Sequence, residues 1–145
     1  MDTFLAAARP DEASPVHSVA AAKVVRKNWG EERWLVSEGA PFAYKVIRIG
    51  AGQRTSLQYH EQKEEANLVV EGRANLLFAE RVGADVVSHA LGPGDVVHVR
   101  PGQVHRIEAV TDTILVEVST PEVDDVIRLA DDWNRGDGRI AAEHS

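Results

Sequence analysis

Gly52-Gln53-Arg54-Thr55-Ser56-Leu57-Gln58-Tyr59-His60, followed by Glu65-Ala66-Asn67-Leu68-Val69-Val70-Glu71-Gly72, is the stretch on which the fold turns. Side chains alternate across an extended strand with period two, so Gln58 and His60 share one face. A few residues of turn then lead to Glu65, which opens an apolar run. Two adjoining strands can thus offer an amide, an imidazole and a carboxylate to one point. Farther along, His105 stands just behind the Pro101-Gly102 turn as a candidate fourth donor. Nitrogen and oxygen donors of this kind suit a first-row divalent metal with open positions for water or substrate.

Working outward, short extended runs bounded by Gly, Pro and Asp extend from Lys23 to Thr120. The expected strands are Lys23–Arg26, Glu32–Glu38, Phe42–Ile49, Thr55–Glu61 and Glu65–Glu71 in the first half. Arg73–Ala79, Asp85–Leu91, Asp95–Val99, His105–Ala109 and Thr113–Ser119 follow. Glu71-Gly72 reads as a tight hairpin turn, and Gly92-Pro93-Gly94-Asp95 breaks the chain before another strand. Strands at this spacing predict an all-β sandwich or barrel rather than a parallel βαβ scheme. Residues 1–22 read as an N-terminal arm, with a short amphipathic turn over Thr3–Ala8. Past Pro121, Val123, Val126, Ile127 and Ala130 recur at helical spacing, which predicts a short helix over Glu122–Trp133 ended near Gly136. Residues 121–145 are therefore expected to form a helix and tail.

The chain has 145 residues, enough for one domain with its own core. It contains no cysteine, which removes disulfides and thiolate metal sites. No run approaches the roughly 18 apolar residues of a membrane span, and the first residues lack the pattern of a secretory signal. A cytoplasmic location without membrane contact is the expectation. A net charge of −7 with no Lys/Arg block argues against nucleic acid as a partner.

These spacings resemble a known family. Gly52, Gln58, His60, Glu65 and Gly72 fall as in the first cupin motif, with Gln where His is usual. Gly94, Arg100, Gly102 and His105 fall as in the second, with Arg100 where Pro is usual. Asn28-Trp29-Gly30, Tyr44-Lys45-Val46, Ser56–His60, His105–Glu108, Val116-Glu117-Val118 and Asp124–Arg128 with Asp131 further resemble the cupin module of type II mannose-6-phosphate isomerases, over about Arg26 to Arg135. The resemblance implies a single-domain double-stranded β-helix, or jelly-roll, barrel whose mouth holds one divalent metal through Gln58, His60, Glu65 and His105. Zinc is the first expectation, with manganese, iron, nickel or cobalt as alternatives. It also implies aldose–ketose isomerisation of a sugar phosphate. The nucleotidyltransferase part that often accompanies this module does not appear in the sequence. Glu61-Gln62-Lys63 replaces a His-rich stretch, and Trp133-Asn134-Arg135 an aromatic-Gly-Arg ending.

Isomerisation needs a base that reaches a carbon-bound proton. Lys45 is the leading candidate, with Glu117 and His98 behind it. A phosphate would need fixed cations, for which Arg48, Arg54, Arg106 and Arg128 are available; Arg48, Arg54 and His98 are the expected substrate contacts. Arg106 follows a ligand histidine on the same strand, so it faces the other way and is read as a tether, a part Arg128 can share. The plainer readings are a solvated strand Lys45, a satisfied core or mouth His98 and a surface Glu117. Trp29, Trp34 and Trp133 are read as packing residues, His17, His89 and His144 as surface, and Asp124-Asp125 as a solvated helix face. An iron-dependent oxygenase and a non-catalytic small-molecule-binding module remain alternatives on the same barrel. A homodimer is expected, because an open barrel leaves strand edges that benefit from pairing.

Overall fold

Alternation of buried and exposed side chains, the mark of a strand with one wet face, runs through most of the computed structural model, which describes residues 14–130 and the backbone of 138–139. The strands are β1 (Lys23–Lys27), β2 (Gly30–Trp34), β3 (Ala43–Ile49), β4 (Leu57–Tyr59), β5 (Glu65–Glu71) and β6 (Ala74–Ala79). They continue with β7 (Val87–Leu91), β8 (Val96–Val99), β9 (Val104–Ala109), β10 (Thr113–Ser119), β11 (Ile127–Ala130) and β12 (Gly138–Arg139). A 3₁₀ turn, Val19–Ala21, precedes them, and Ser18 Oγ accepts the Ala20 N–H at 3.1 Å.

The strands form two six-stranded sheets, ordered β1-β2-β3-β10-β5-β8 and β12-β11-β4-β9-β6-β7. All pairings are antiparallel. From β3 to β6, and again from β7 to β11, each connection carries the chain from one sheet to the other. This is the jelly-roll barrel expected from the sequence. Among the described residues no helix is long and apolar enough to cross a membrane.

The inward columns change character along their length. On β3 the inward residues run Lys45, Ile47, Ile49; on β5, Glu65, Asn67, Val69; on β10, Leu115, Glu117, Ser119. Register aligns them: Leu115 lies opposite Ile47 and Val69, and Glu117 opposite Lys45 and Asn67. One end of the barrel is therefore an apolar plug, in which Ile49, Val69 and Leu115 are at most 1% exposed. Each such side chain contributes about 1.5–3 kcal/mol by leaving water. The other end is lined with charge. Trp29 and Trp34 are buried packing residues, as expected, and Trp133 lies outside the described residues.

Two expectations are corrected. The Glu71-Gly72 turn is tight, but it joins strands of different sheets, since β5 pairs with β10 and β8 while β6 pairs with β7 and β9. Gly72 is required there: its φ is +92°, and a Cβ would sit 2.2 Å from the Asp112 carbonyl oxygen. The helix predicted over Glu122–Trp133 does not form where it is described. After a turn at Val123-Asp124, Ile127–Ala130 is strand β11, paired with β4. Backbone partners on β4 outweigh a helical spacing of only four apolar residues. The remainder of that prediction, and the turn over Thr3–Ala8, fall outside the described residues.

Candidate metal centre

Two histidines and one carboxylate converge at the charged end. His60 follows β4, Glu65 opens β5 and His105 lies on β9; they are 1%, 6% and 5% exposed. Their ligand atoms all lie within 4.8 Å of one another. Glu65 Oε1 is 3.0 Å from His105 Nε2 and 3.7 Å from His60 Nε2. Ligands on a tetrahedral ion with bonds of about 2.0–2.1 Å stand about 3.3 Å apart, so the spacing fits.

The ring orientations give an independent test. His60 Nδ1 is 2.6 Å from the Asp125 carbonyl oxygen, and His105 Nδ1 is 3.1 Å from that of Gln103. A carbonyl can only accept, so each Nδ1 carries the proton and each Nε2 presents a lone pair. Both Nε2 atoms are buried without a hydrogen-bond partner. At 3.0 Å His105 Nε2 and Glu65 Oε1 are close enough to bond, yet neither has a hydrogen to give. Three converging lone pairs repel unless a metal cation or an extra proton lies between them, and this donor set is one a divalent metal takes.

Gln58 shares the chamber, opposite His105 in the β4–β9 ladder. Its Oε1 accepts from the buried Ser56 Oγ at 3.0 Å. The triad is thus legible as expected, with the amide beside it.

Beyond the triad runs a buried chain of opposite charges. Lys63 Nζ lies 3.3 Å from Glu65 Oε2 and 3.5 Å from Glu117 Oε2. Lys45 Nζ lies 3.9 Å from that same Glu117 oxygen, 3.2 Å from Glu32 Oε1 and 4.5 Å from the Trp34 ring centroid. All five charged residues are 6% exposed or less. Burial and then the Glu65 charge push the Glu117 carboxyl up to about 7, against the pull of Lys63 and Lys45. Burial pushes Glu65 up as well, but the Lys63 ammonium, joined by the facing histidines when an extra proton lies between them and the carboxylate, more than offsets this and holds it well below the carboxylate range. Burial works against the Lys63 ammonium, while Glu117, Glu65 and Glu32 outweigh it and raise its pKa.

Lys45 and Glu117, the expected catalytic pair, are therefore both in the chamber, on facing positions of β3 and β10. The expected substrate contacts are not. Arg48 points outward from β3, beside Glu31, Arg33 and Ile114. Arg54 pairs with Glu108 at 2.9 Å outside the chamber. His98 is exposed on β8, pairs with Glu64 and does not line the chamber, so it is not a core residue. Inward and outward parity explains all three. Arg106 is the expected tether, donating from Nε to the Thr55 carbonyl at 2.7 Å. Arg128 is buried on β11.

Sequence reasoning misses Lys63, Ser56 and Asp125. Lys63 sits in a run of charged residues that looks solvated. Asp125, expected on a helix face, instead has a carboxylate that accepts the backbone N–H groups of Glu61, Gln62 and Lys63 at 3.2, 2.6 and 3.0 Å. It thereby fixes the turn between His60 and Glu65. Its partial burial opposes ionisation, but the N–H donors of Gln62, Lys63 and Glu61 prevail and lower its pKa.

The chamber is partly open to solvent and holds an accessible space of about 70 Å³, lined on its apolar side by Trp29, Ile47, Ile49, Ile107, Leu115 and Val126. Among the described residues no arginine lines it.

Comparison with known proteins agrees with this geometry. The family described as "Cupin domain" matches residues 45–120. No curated protein matches the chain significantly. Among solved structures, the capsular polysaccharide assembling protein CapF from Staphylococcus aureus superposes with a TM-score of 0.66 at 20% identity, covering 76% of this chain and 32% of that one. The oxalate decarboxylase from Bacillus subtilis gives 0.64 at 16% identity, covering 77% and 31%. The chain thus spans about a third of the length of those proteins, and at such identity the likeness concerns the fold.

Proposed function

This chain belongs to the cupin family, and from that premise we propose that it is a metal-dependent enzyme moving a proton between neighbouring carbons of a small hydroxy-carbonyl compound. Aldose–ketose isomerisation at the reducing end of a sugar is the leading case. One observation carries the reading. Glu117 Oε2 is buried, has no hydrogen-bond partner and lies in the chamber that holds the triad. A carboxylate oxygen desolvated in this way is costly for structure alone and suits a general base.

His60, Glu65 and His105 would hold the ion, with Gln58 as fourth ligand and zinc as the first choice among the divalent metals. When bound, the ion supplies Lewis acidity toward a carbonyl oxygen. The remaining work falls to the chain. Glu117 takes the proton from the carbon beside the carbonyl; the C–H electron pair moves into the C–C bond and the carbonyl pair onto oxygen. The hydroxyl proton on the neighbouring carbon's oxygen passes to the former carbonyl oxygen, and Glu117 returns its proton to the former carbonyl carbon, which completes the isomerisation. Lys63 and Lys45 bracket Glu117 and fix its direction. Glu32 and Trp34 hold Lys45, so Lys45 serves as counter-ion and Glu117 as base. Ile47, Ile107 and Leu115 limit the access of bulk water.

The space of about 70 Å³ accommodates the reacting end of a sugar rather than a whole hexose, and without an arginine in the described lining the unphosphorylated end is the form that fits. The test is proton NMR of zinc-loaded protein with a panel of aldoses, ketoses and their phosphates in deuterium oxide. Deuterium should enter at C2 of an aldose and C1 of a ketose, and Glu117→Gln should slow the exchange about 100-fold or more. Stoichiometric zinc with no exchange across the panel would sink the proposal.

The pairing of two histidines and one carboxylate with an apolar wall also favours a second reading, an iron-dependent oxygenase. Oxygen uptake by iron-loaded protein, with no exchange in the zinc form, would select it. Ligand binding without either activity would leave a binding module. A homodimer belongs to the same proposal, because Tyr44, Leu68, Val96 and Val118 stay exposed on neighbouring strands of one sheet face. Light scattering that returns a monomer would remove it.

A further inference from the structure

Glu65 divides its two oxygens between two tasks. Oε1 faces His60 and His105, and Oε2 faces Lys63. Lys63 thereby keeps the carboxylate from turning both oxygens to the triad, which leaves positions there for a ligand. Its ammonium is also the chamber cation nearest those positions. Lys45 is one carboxylate farther away, beyond Glu117.

The charges of the chamber define what such a ligand is. With Glu117 ionised, as a base must be, Glu32, Glu65 and Glu117 against Lys45 and Lys63 leave one negative charge among these five buried groups. A divalent ion at the triad turns that surplus into one positive charge. It also draws the Glu65 charge to itself, weakening the hold of Glu65 on Lys63. An uncompensated charge in a desolvated site is expensive. One negative charge on the ligand cancels it, whereas a dianion would overshoot. The inner space of about 70 Å³ receives a group of a few heavy atoms.

We propose that Lys63 and the metal triad together form a subsite for a small monoanionic carboxylate, in which the Lys63 ammonium takes one carboxylate oxygen. The ligand class is a short α-hydroxy or α-keto acid. A member of this class that also carries a hydroxyl and a ketone or aldehyde carbonyl on neighbouring carbons has the pattern that Glu117 would act upon, so the inference rests on the metal reading above and narrows its substrate. Lys63 reaches this place because the Glu61–Lys63 backbone is capped by Asp125.

Cobalt(II) serves as the probe ion, since its visible spectrum reports ligand exchange without turnover. Purified protein is loaded with one equivalent of cobalt and titrated with glycolate, and separately with glycolamide as its uncharged counterpart. Wild type should bind glycolate at least tenfold more tightly than glycolamide. Lys63→Met should lose that preference while holding cobalt at the same stoichiometry, and Lys63→Arg should restore part of it. Circular dichroism and the cobalt count separate this result from misfolding. Equal affinities for the two probes in cobalt-loaded wild type would overturn the inference and leave the metal reading intact. A Lys63→Met protein that still prefers glycolate tenfold would overturn it as well. Wild type that takes up no cobalt would overturn both.

Discussion

Metal binding should raise the melting temperature of this protein by about 10 °C, and the size of that shift follows from the site. Both Nε2 atoms are buried and unbonded, and both rings are oriented by the carbonyls of Asp125 and Gln103. No rearrangement is therefore needed before the ion enters. A ligand that binds only the folded state at 100 times its dissociation constant stabilises by about 2.7 kcal/mol. At about 2.1 cal/mol/K per residue, a chain of 145 residues has an unfolding entropy near 0.3 kcal/mol/K, and dividing gives roughly 9 °C. The assay is calorimetry of chelator-stripped protein with and without zinc at that excess. His60→Ala and His105→Ala should each abolish the shift. Neither should unfold the metal-free protein, because each removes an unsatisfied nitrogen along with one hydrogen bond. A shift of several degrees that survives in both variants would place the site elsewhere, and no shift in wild type would refute a preformed centre.

Three further outcomes are expected. In metal-free protein the Glu117 carboxyl, raised to about 7 from 4.5, holds its proton better folded than unfolded. Its contribution is therefore fully present below pH 4.5 and declines as pH rises toward 7, by at most about 1.4 kcal/mol per pH unit. Urea denaturation at pH 5, 6 and 7 should show wild type losing stability relative to Glu117→Gln across that range, and a gain would contradict the burial argument. Asp125→Ala removes the acceptor of three N–H groups and should cost about 1–3 kcal/mol and roughly tenfold in zinc affinity, with Asp125→Asn recovering part of both; an unchanged zinc affinity would show that the turn does not place His60. Gly72→Ala should cost well over the ~1 kcal/mol typical of a strained backbone position, since its Cβ meets Asp112 at 2.2 Å. Gly83→Ala is the control, with a φ of +88° and nothing within 4 Å, and equal costs for the two would remove the steric part of the explanation.

Period two makes the barrel legible. Glu65–Glu71 and Thr113–Ser119 form strands over the residues expected, because one face of each has to be buried. The triad is legible for the same reason: spacing fixes which face a residue takes. Sheet assignment is not, since the Glu71-Gly72 turn looks the same whether it folds a hairpin or crosses between sheets. The helix is a misreading because Val123, Val126, Ile127 and Ala130 satisfy a helical period over too short a window, whereas pairing of Arg128 with Gln58 decides for a strand. Lys63 escapes notice because a lysine among glutamates is ordinarily solvated; only the Asp125 cap turns it inward. Arg48, Arg54 and His98 are assigned on charge, which does not report parity.

The inward faces of β3, β5 and β10 pose a choice that folding alone would settle differently. Their apolar ends show that the barrel can be filled with Ile, Val and Leu, and extending that plug would spare the desolvation of five ionisable groups. Replacing buried ion pairs by apolar residues of similar volume is often neutral or stabilising by about 1–4 kcal/mol. The charges at this end are moreover incomplete as a structure. They leave two buried imidazole nitrogens without a hydrogen-bond partner facing a carboxylate, and a Glu117 oxygen with ammonium groups near it but no hydrogen bond. A purely structural network would close those gaps, because a half-satisfied buried network is worse than an apolar core. The gaps coincide with the positions a cation and a small anion would fill. The stability given up at this end of the barrel is thus tied to ligands, and the apolar plug at the other end supplies the rigidity that holds the site open.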